Sequence, residues 1–218
     1  MSRPVIVVVG AGSGLGASVA RRFGHDGYDV ALVSRGADEL EALGTALQAE
    51  GITTGWAAVD IADSEALRAA VTRFGGFADR IDVLHYNPSA FRQQDPLHLS
   101  VDDLLADVAV GVGGLLTAVQ AARPFMSSGA RVTATGSMAA DRPWHEAASL
   151  GVQTAALRNL VRSLDATLRP DGIRAVSVTV NGTLGRGTRF DPDLVAEAIH
   201  EAARQPEEGW RDEVPFDG

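Results

Sequence analysis

The 218-residue sequence has no cysteine, which removes disulfides, thiolate metal sites and thiol nucleophiles together. It has no lysine either, so all 19 basic side chains are arginines. Tyrosine is scarce: Tyr28 and Tyr86 are the only two. Positive charge is in deficit, and a formal net charge of −9 argues against the basic footprint that a nucleic-acid surface needs. Much of the acidic excess follows Asp191, in Asp193, Glu197, Glu201, Glu207, Glu208, Asp212, Glu213 and Asp217, and reads as a solvated helix face and tail. The apolar run Val5 to Val9 is far too short to cross a membrane and carries no cleavage pattern. A cytoplasmic protein with no membrane partner is the expectation. No histidine or carboxylate cluster has metal-ligand spacing, so no metal is expected.

What the sequence does have is an ordinary globular composition, 45% hydrophobic and 22% charged, at a length that suits one domain over residues 1–218. Short valine-rich runs recur at Val5–Val9, Val30–Val33, about Thr54–Val59, Val83–His85, Val132–Thr135, Val176–Val180 and Glu213–Phe216. Continuous apolar runs of this length suit strands covered on both faces. Between them, apolar residues recur three and four apart, as in Leu15, Val19 and Phe23, and in Leu157, Leu160, Val161, Leu164 and Leu168. Asp191-Pro192-Asp193 is a start signal for the final helix. Alternating strands and helices predict an α/β fold: a Rossmann-type, doubly wound parallel sheet of about seven strands with helices on both faces. Gly182 to Thr188, with three glycines, predicts a loop over the site.

The first strand runs straight into Gly10-Ala11-Gly12-Ser13-Gly14-Leu15-Gly16, and a helix follows. Glycines permit a tight turn and close backbone approach, and the helix N-terminus faces an anion, which is what a dinucleotide pyrophosphate requires. The spacing is G-x-x-x-G-x-G on Gly10, Gly14 and Gly16, since Leu15 stands where G-x-G-x-x-G needs glycine. At the end of the second strand an acidic residue would hold a ribose 2′-hydroxyl and repel a 2′-phosphate. Ser34-Arg35 stands there instead. A hydroxyl and a guanidinium suit the phosphate, so NADP is expected over NAD, unless Arg35 only covers an adenine face or points into solvent.

On these residues the chain resembles the short-chain dehydrogenase/reductase family over nearly its whole length. Asp60-Ile61 resembles the family's adenine-contacting pair. Asn87-Pro88-Ser89 stands where the family has Asn-Ala-Gly, with only the asparagine kept. Ser137-Met138-Ala139-Ala140 resembles the serine segment, Ala155-Ala156-Leu157 the helix after the catalytic segment, and Gly172-Ile173-Arg174 the lead into the sixth strand. Thr188 is counted with the cofactor residues.

The resemblance implies chemistry by a tyrosine, a lysine four residues later that lowers its pKa, a serine and a relay asparagine. A phenol titrating near 10 is a poor base at neutral pH without a nearby cation. By the family's spacing the tyrosine position falls on Leu150, the lysine position on Thr154 and the relay position on Gly111. Only Ser137 remains, to orient a ligand carbonyl or to satisfy backbone groups. His145, beside Glu146, is a candidate substitute acid or base, or a solvated loop residue. Tyr86 can approach the cofactor or simply pack, and Trp144 can line a pocket or simply pack. Two functions stay open: an atypical NADP-dependent oxidoreductase acting on a carbonyl or hydroxyl of a small molecule, or an NADP-binding sensor or partner subunit without turnover. The resemblance also implies a homodimer or homotetramer built on the helices near Asp102–Met126 and Leu150–Leu168.

Overall fold

The structure is a computed structural model that describes residues 3–218. Seven parallel strands form one sheet: β1 (Val5–Val9), β2 (Asp29–Ser34), β3 (Thr54–Ala58), β4 (Val83–Tyr86), β5 (Arg131–Ser137), β6 (Arg174–Val180) and β7 (Glu213–Phe216). Their order is β3-β2-β1-β4-β5-β6-β7, so the direction of winding reverses between β1 and β4. In open sheets of this kind, ligands sit outside the carboxyl ends of the strands at that reversal.

Alternate residues of each strand feed two separate cores. Val7, Val9, Leu84, Tyr86, Val132 and Ala134 face one side, while Ile6, Val8, Leu32, Val176 and Val178 face the other. Helices α1 (Leu15–His25), α2 (Ala37–Ala49) and α7 (Pro192–Ala203) send their apolar residues into the second core. The first core is covered by α3 (Ser64–Ala78), by α5 (Gly114–Ala122) in the helical stretch that α4 (Val101–Val108) begins, and by α6 (Ala148–Leu168). Both faces are therefore dry, which is why the strands need valine rather than alternation.

Between α4 and α5, Ala109–Gly113 winds as a π-turn. The Tyr86 hydroxyl donates to the Val110 carbonyl there, and Gly114 lets that ring approach. The whole stretch, Val101–Phe125, is long and apolar enough to cross a membrane by length and composition alone, a property that core helices share. Here α5 packs on α3, and α4 on α6.

The final helix begins where its signal predicts. The Asp191 carboxylate accepts from the Asp193 amide at 2.9 Å, and Pro192 opens the first turn. The acidic C-terminal region is largely solvated, as its composition suggests, with Asp193, Glu201, Glu207, Glu208 and Asp217 exposed, but several of its carboxylates also reach partners in distant elements. Asp193 accepts from the Ser18 hydroxyl at 2.6 Å, Glu197 pairs with Arg22, and Glu207 pairs with Arg131 and Arg174 at 3.1 and 2.8 Å. Glu213 pairs with Arg162 at 2.9 Å. These carboxylates pin α7 to α1, and β7 to α6. Composition reports their number and cannot report that arginines from distant elements face them.

Candidate functional site

The glycine turn is built against its neighbours by backbone contacts. The amides of Gly10 and Ala11 donate to the Val33 carbonyl at 2.8 and 3.1 Å, which joins the turn to the end of β2. Gly10 has φ +85°, in the left-handed region that favours glycine, and Pro88 packs on the side where a Cβ would project. At Gly16 a Cβ would run into the Gly10 carbonyl oxygen. Gly12 and Gly14 are different, because a Cβ there would enter open space with nothing within 4 Å.

Helix α1 starts from Gly14 with no side-chain cap. Among the described residues, no amide from Ser13 to Gly16 donates to another backbone carbonyl. The result is an open cradle of unspent N–H donors at the positive end of a helix. A pyrophosphate fits that donor set and needs that space.

Asn87 braces the cradle from β4. Its amide nitrogen donates to the Gly10 carbonyl at 3.2 Å, while its side-chain oxygen accepts from the Thr135 hydroxyl at 2.8 Å. Beyond it a cleft of about 380 Å³ opens at the carboxyl ends of β1, β4, β5 and β6. Gly12, Gly14, Leu15 and Gly16 line it together with Asn87, Ser89, Ser137, Leu150 and Thr154. The structure thus brings Ser137, Leu150 and Thr154 to one cleft. Ser137 closes β5, and its hydroxyl oxygen accepts from the Ala139 amide at 3.2 Å. Thr154 spends its hydroxyl on the Leu150 carbonyl at 2.7 Å within α6.

Ser34 ends β2 and Arg35 follows it, beside the turn. Arg35 is exposed and makes no ion pair among the described residues. Asp60 is also exposed, its carboxylate accepting from the Ala62 amide at 3.0 Å, and Ile61 is buried in the core beside it. Thr188 lies in the loop between β6 and α7, where its hydroxyl donates to Gly185 at 2.7 Å and accepts from the Phe190 amide. It does not line the cleft, whereas Gly182 and Leu184 of the same loop do.

His145 is exposed in the turn His145–Ala147 and is not a lining residue. Tyr86 is buried in the core under α5, and burial pushes its hydroxyl above the ordinary phenol range. Tyr28 packs edge-on against Phe23 at 5.2 Å. Neither phenol lines the cleft. No group of three histidines or carboxylates that could hold a metal occurs among the described residues.

One residue escapes sequence reasoning. Gln153 is buried, and its side-chain amide clips Ala90 at both ends: the oxygen accepts from the Ala90 amide, and the nitrogen donates to its carbonyl, both at 2.9 Å. Gly111 makes room for it, since a Cβ there would collide with the Gln153 side chain. The clip fixes the strip from Ser89 to Phe91, which forms a cleft wall. A lone glutamine on a helix gives no signal of this in sequence, and only the paired loss of side chain at Gly111 hints at it.

The reversal of the sheet and the open cradle beside it define a Rossmann-type nucleotide-binding fold. The family model described as short chain dehydrogenase matches residues 4–190, and the chain belongs to that family. A Burkholderia cenocepacia short chain dehydrogenase solved in complex with NADP has a TM-score of 0.87 and 28% identity, covering 99% of this chain and 96% of that one. A metagenomic short-chain oxidoreductase in complex with NADP has a TM-score of 0.87 and 26% identity, covering 97% and 96%. Among curated proteins, a Sarocladium schorii oxidoreductase is 29% identical over 77% of this chain and 67% of its own length. An uncharacterized Mycobacterium tuberculosis oxidoreductase is 31% identical over 56% of this chain, and the match spans 46% of that protein.

Proposed function

We propose that this chain binds NADP in the cradle of Gly10 to Gly16 and acts as an NADP-dependent oxidoreductase without the family's tyrosine–lysine pair. The observation that carries the binding is the open space at Gly12 and Gly14 in front of the uncapped start of α1. Arg35 and Ser34 are assigned to the 2′-phosphate, and two relatives of similar fold are described in complex with NADP. When bound, the reduced dinucleotide supplies a hydride. The amides of Ser13 to Gly16 hold the pyrophosphate, Asn87 keeps the turn closed, and Ser137 offers a hydroxyl to a ligand oxygen. Leu150 and Thr154 stand where the pair is expected, and neither provides an acid or a cation. His145 enters this reading as a proton donor only if the segment carrying it closes over the cleft.

One observation favours a second reading, a cofactor-binding sensor or partner subunit without turnover: no side chain lining the cleft titrates near neutral pH. The first test is a titration of native and Arg35→Asp protein with NADPH and NADH. Loss of one charge-assisted phosphate contact costs about 1.5–3 kcal/mol, so NADPH affinity falls by at least tenfold and NADH gains relative to it. Unaltered NADPH affinity in the variant removes Arg35 from the 2′ position.

A further inference from the structure

We infer that the protein carries a second small-molecule site, at the opposite end of the sheet from the cleft, which takes a primary amine with an aromatic body. The site is a cavity of about 420 Å³ at the amino ends of β1, β2 and β3, against the last turns of α3. It shares no lining residue with the cofactor cleft and stands whether or not NADP binds there.

Strand register builds the floor. Val5 pairs with Asp29, and Ala31 with Gly55. Ala31 belongs to the core that α3 covers, and side chains two apart on a strand share a face, so Asp29 turns toward α3 as well. Ala31 and Gly55 leave that part of the face thinly filled: a Cβ at Gly55 would meet only the edge of the Phe74 ring, at 3.4 Å. Phe74 and Phe77 of α3 line the space, and Phe77 is 93% exposed. A mostly apolar cavity of this size with one well-placed polar group suits a small organic molecule.

Charge selects the ligand. The Asp29 Oδ1 is shut off from water, and among the described residues no hydrogen-bond donor reaches it. The cation paired with it, Arg3 Nη1, stands 3.8 Å away, beyond hydrogen-bond distance, on a side chain 60% exposed. The Asp29 side chain as a whole is 35% exposed, so its carboxylate can be reached from the cavity. Arg73 also lines the cavity, but it is turned to the edge strand β3: its guanidinium lies over the Phe74 ring at 5.3 Å and reaches the Trp56 carbonyl at 3.4 Å. A primary ammonium supplies the donor that Asp29 lacks, and aromatic faces attract its charge. An anion of the same shape would meet the Asp29 carboxylate instead.

The test is calorimetry on the full chain at neutral pH with phenethylamine, and with phenethyl alcohol and phenylpropanoate as its neutral and anionic counterparts. Saturable binding of the amine is expected, with the alcohol and the acid weaker by about tenfold or more. Asp29→Asn keeps the shape and removes the charge, and is expected to weaken the amine by about tenfold while leaving the alcohol unchanged. Phe77→Ser alters a side chain that lies in solvent, so it keeps the fold, and is expected to weaken amine and alcohol alike by about twofold to fivefold. Tm recorded for each variant shows that it is folded. No saturable binding of the amine to native protein overturns the inference. So does equal binding of amine and alcohol, or amine binding that neither variant weakens, which would place the amine elsewhere on the molecule.

Discussion

His85 is buried completely in the centre of the sheet on β4. Its Nδ1 meets the Thr133 hydroxyl at 2.9 Å, and its Nε2 has no partner. Burial pushes its pKa down to about 3. The folded protein therefore keeps this ring neutral, while the unfolded chain takes up a proton as pH falls below about 6.5. Stability attributable to His85 is therefore full above about pH 6.5 and is lost as pH falls toward 3. At pH 5 the loss is about 2 kcal/mol relative to neutral pH. Thermal unfolding of His85→Val is expected to show a shallower fall in Tm between pH 7.5 and 5 than native protein, whatever its absolute Tm. Parallel curves would mean that the ring finds a proton partner in the folded state. Residue roles of this kind divide by what sequence can show. The glycines are legible because their spacing is set by backbone geometry. The burial of His85 is legible too, because Val83–His85 reads as a strand covered on both faces, but its unpartnered Nε2 is not.

At the scale of elements, the turn from β1 to α1 uses its glycines for two different purposes. Gly16 gives way to the Gly10 carbonyl, so Gly16→Ala is expected to strain the turn and destabilise the protein by about 1–3 kcal/mol, read as a drop in Tm. An unchanged Tm would mean that the turn has slack this packing does not allow. The strands and most helices were legible because valine runs and helical periodicity report burial directly. The strand expectations fall short mainly at the ends: β5 extends to Arg131–Ser137 and β6 to Arg174–Val180. Their flanking polar residues carry no apolar signal, yet still join the ladder. Arg174 is the clearest case, buried against Asp165 at 2.9 Å and over the Trp210 ring at 4.6 Å. The π-turn at Ala109–Gly113 was not legible either, because it depends on Tyr86 of β4 claiming a carbonyl from a helix remote in sequence.

For the whole molecule, the order of elements specified the doubly wound sheet, and the reversal between β1 and β4 located the cleft. The surface outside it makes a separate statement. Leu105, Leu116 and Val152 are exposed on α4, α5 and α6, the helices on which self-association was expected. We propose that they bury against a second copy. Sedimentation at tens of micromolar is expected to give a dimer or tetramer, with Val152→Glu shifting it toward monomer; a native monomer at that concentration removes the proposal.

NADP is assigned to the open cradle at Gly12 and Gly14. Gly14→Val fills that space from a position with no neighbour within 4 Å, so it separates ligand binding from folding. The deciding measurement is an NADPH titration of native protein and Gly14→Val, with Tm recorded for each. Saturable binding to native protein is expected, and none to a variant whose unfolding transition stays cooperative, with a Tm near native. Equal binding by both proteins, or no binding to native protein, would contradict it.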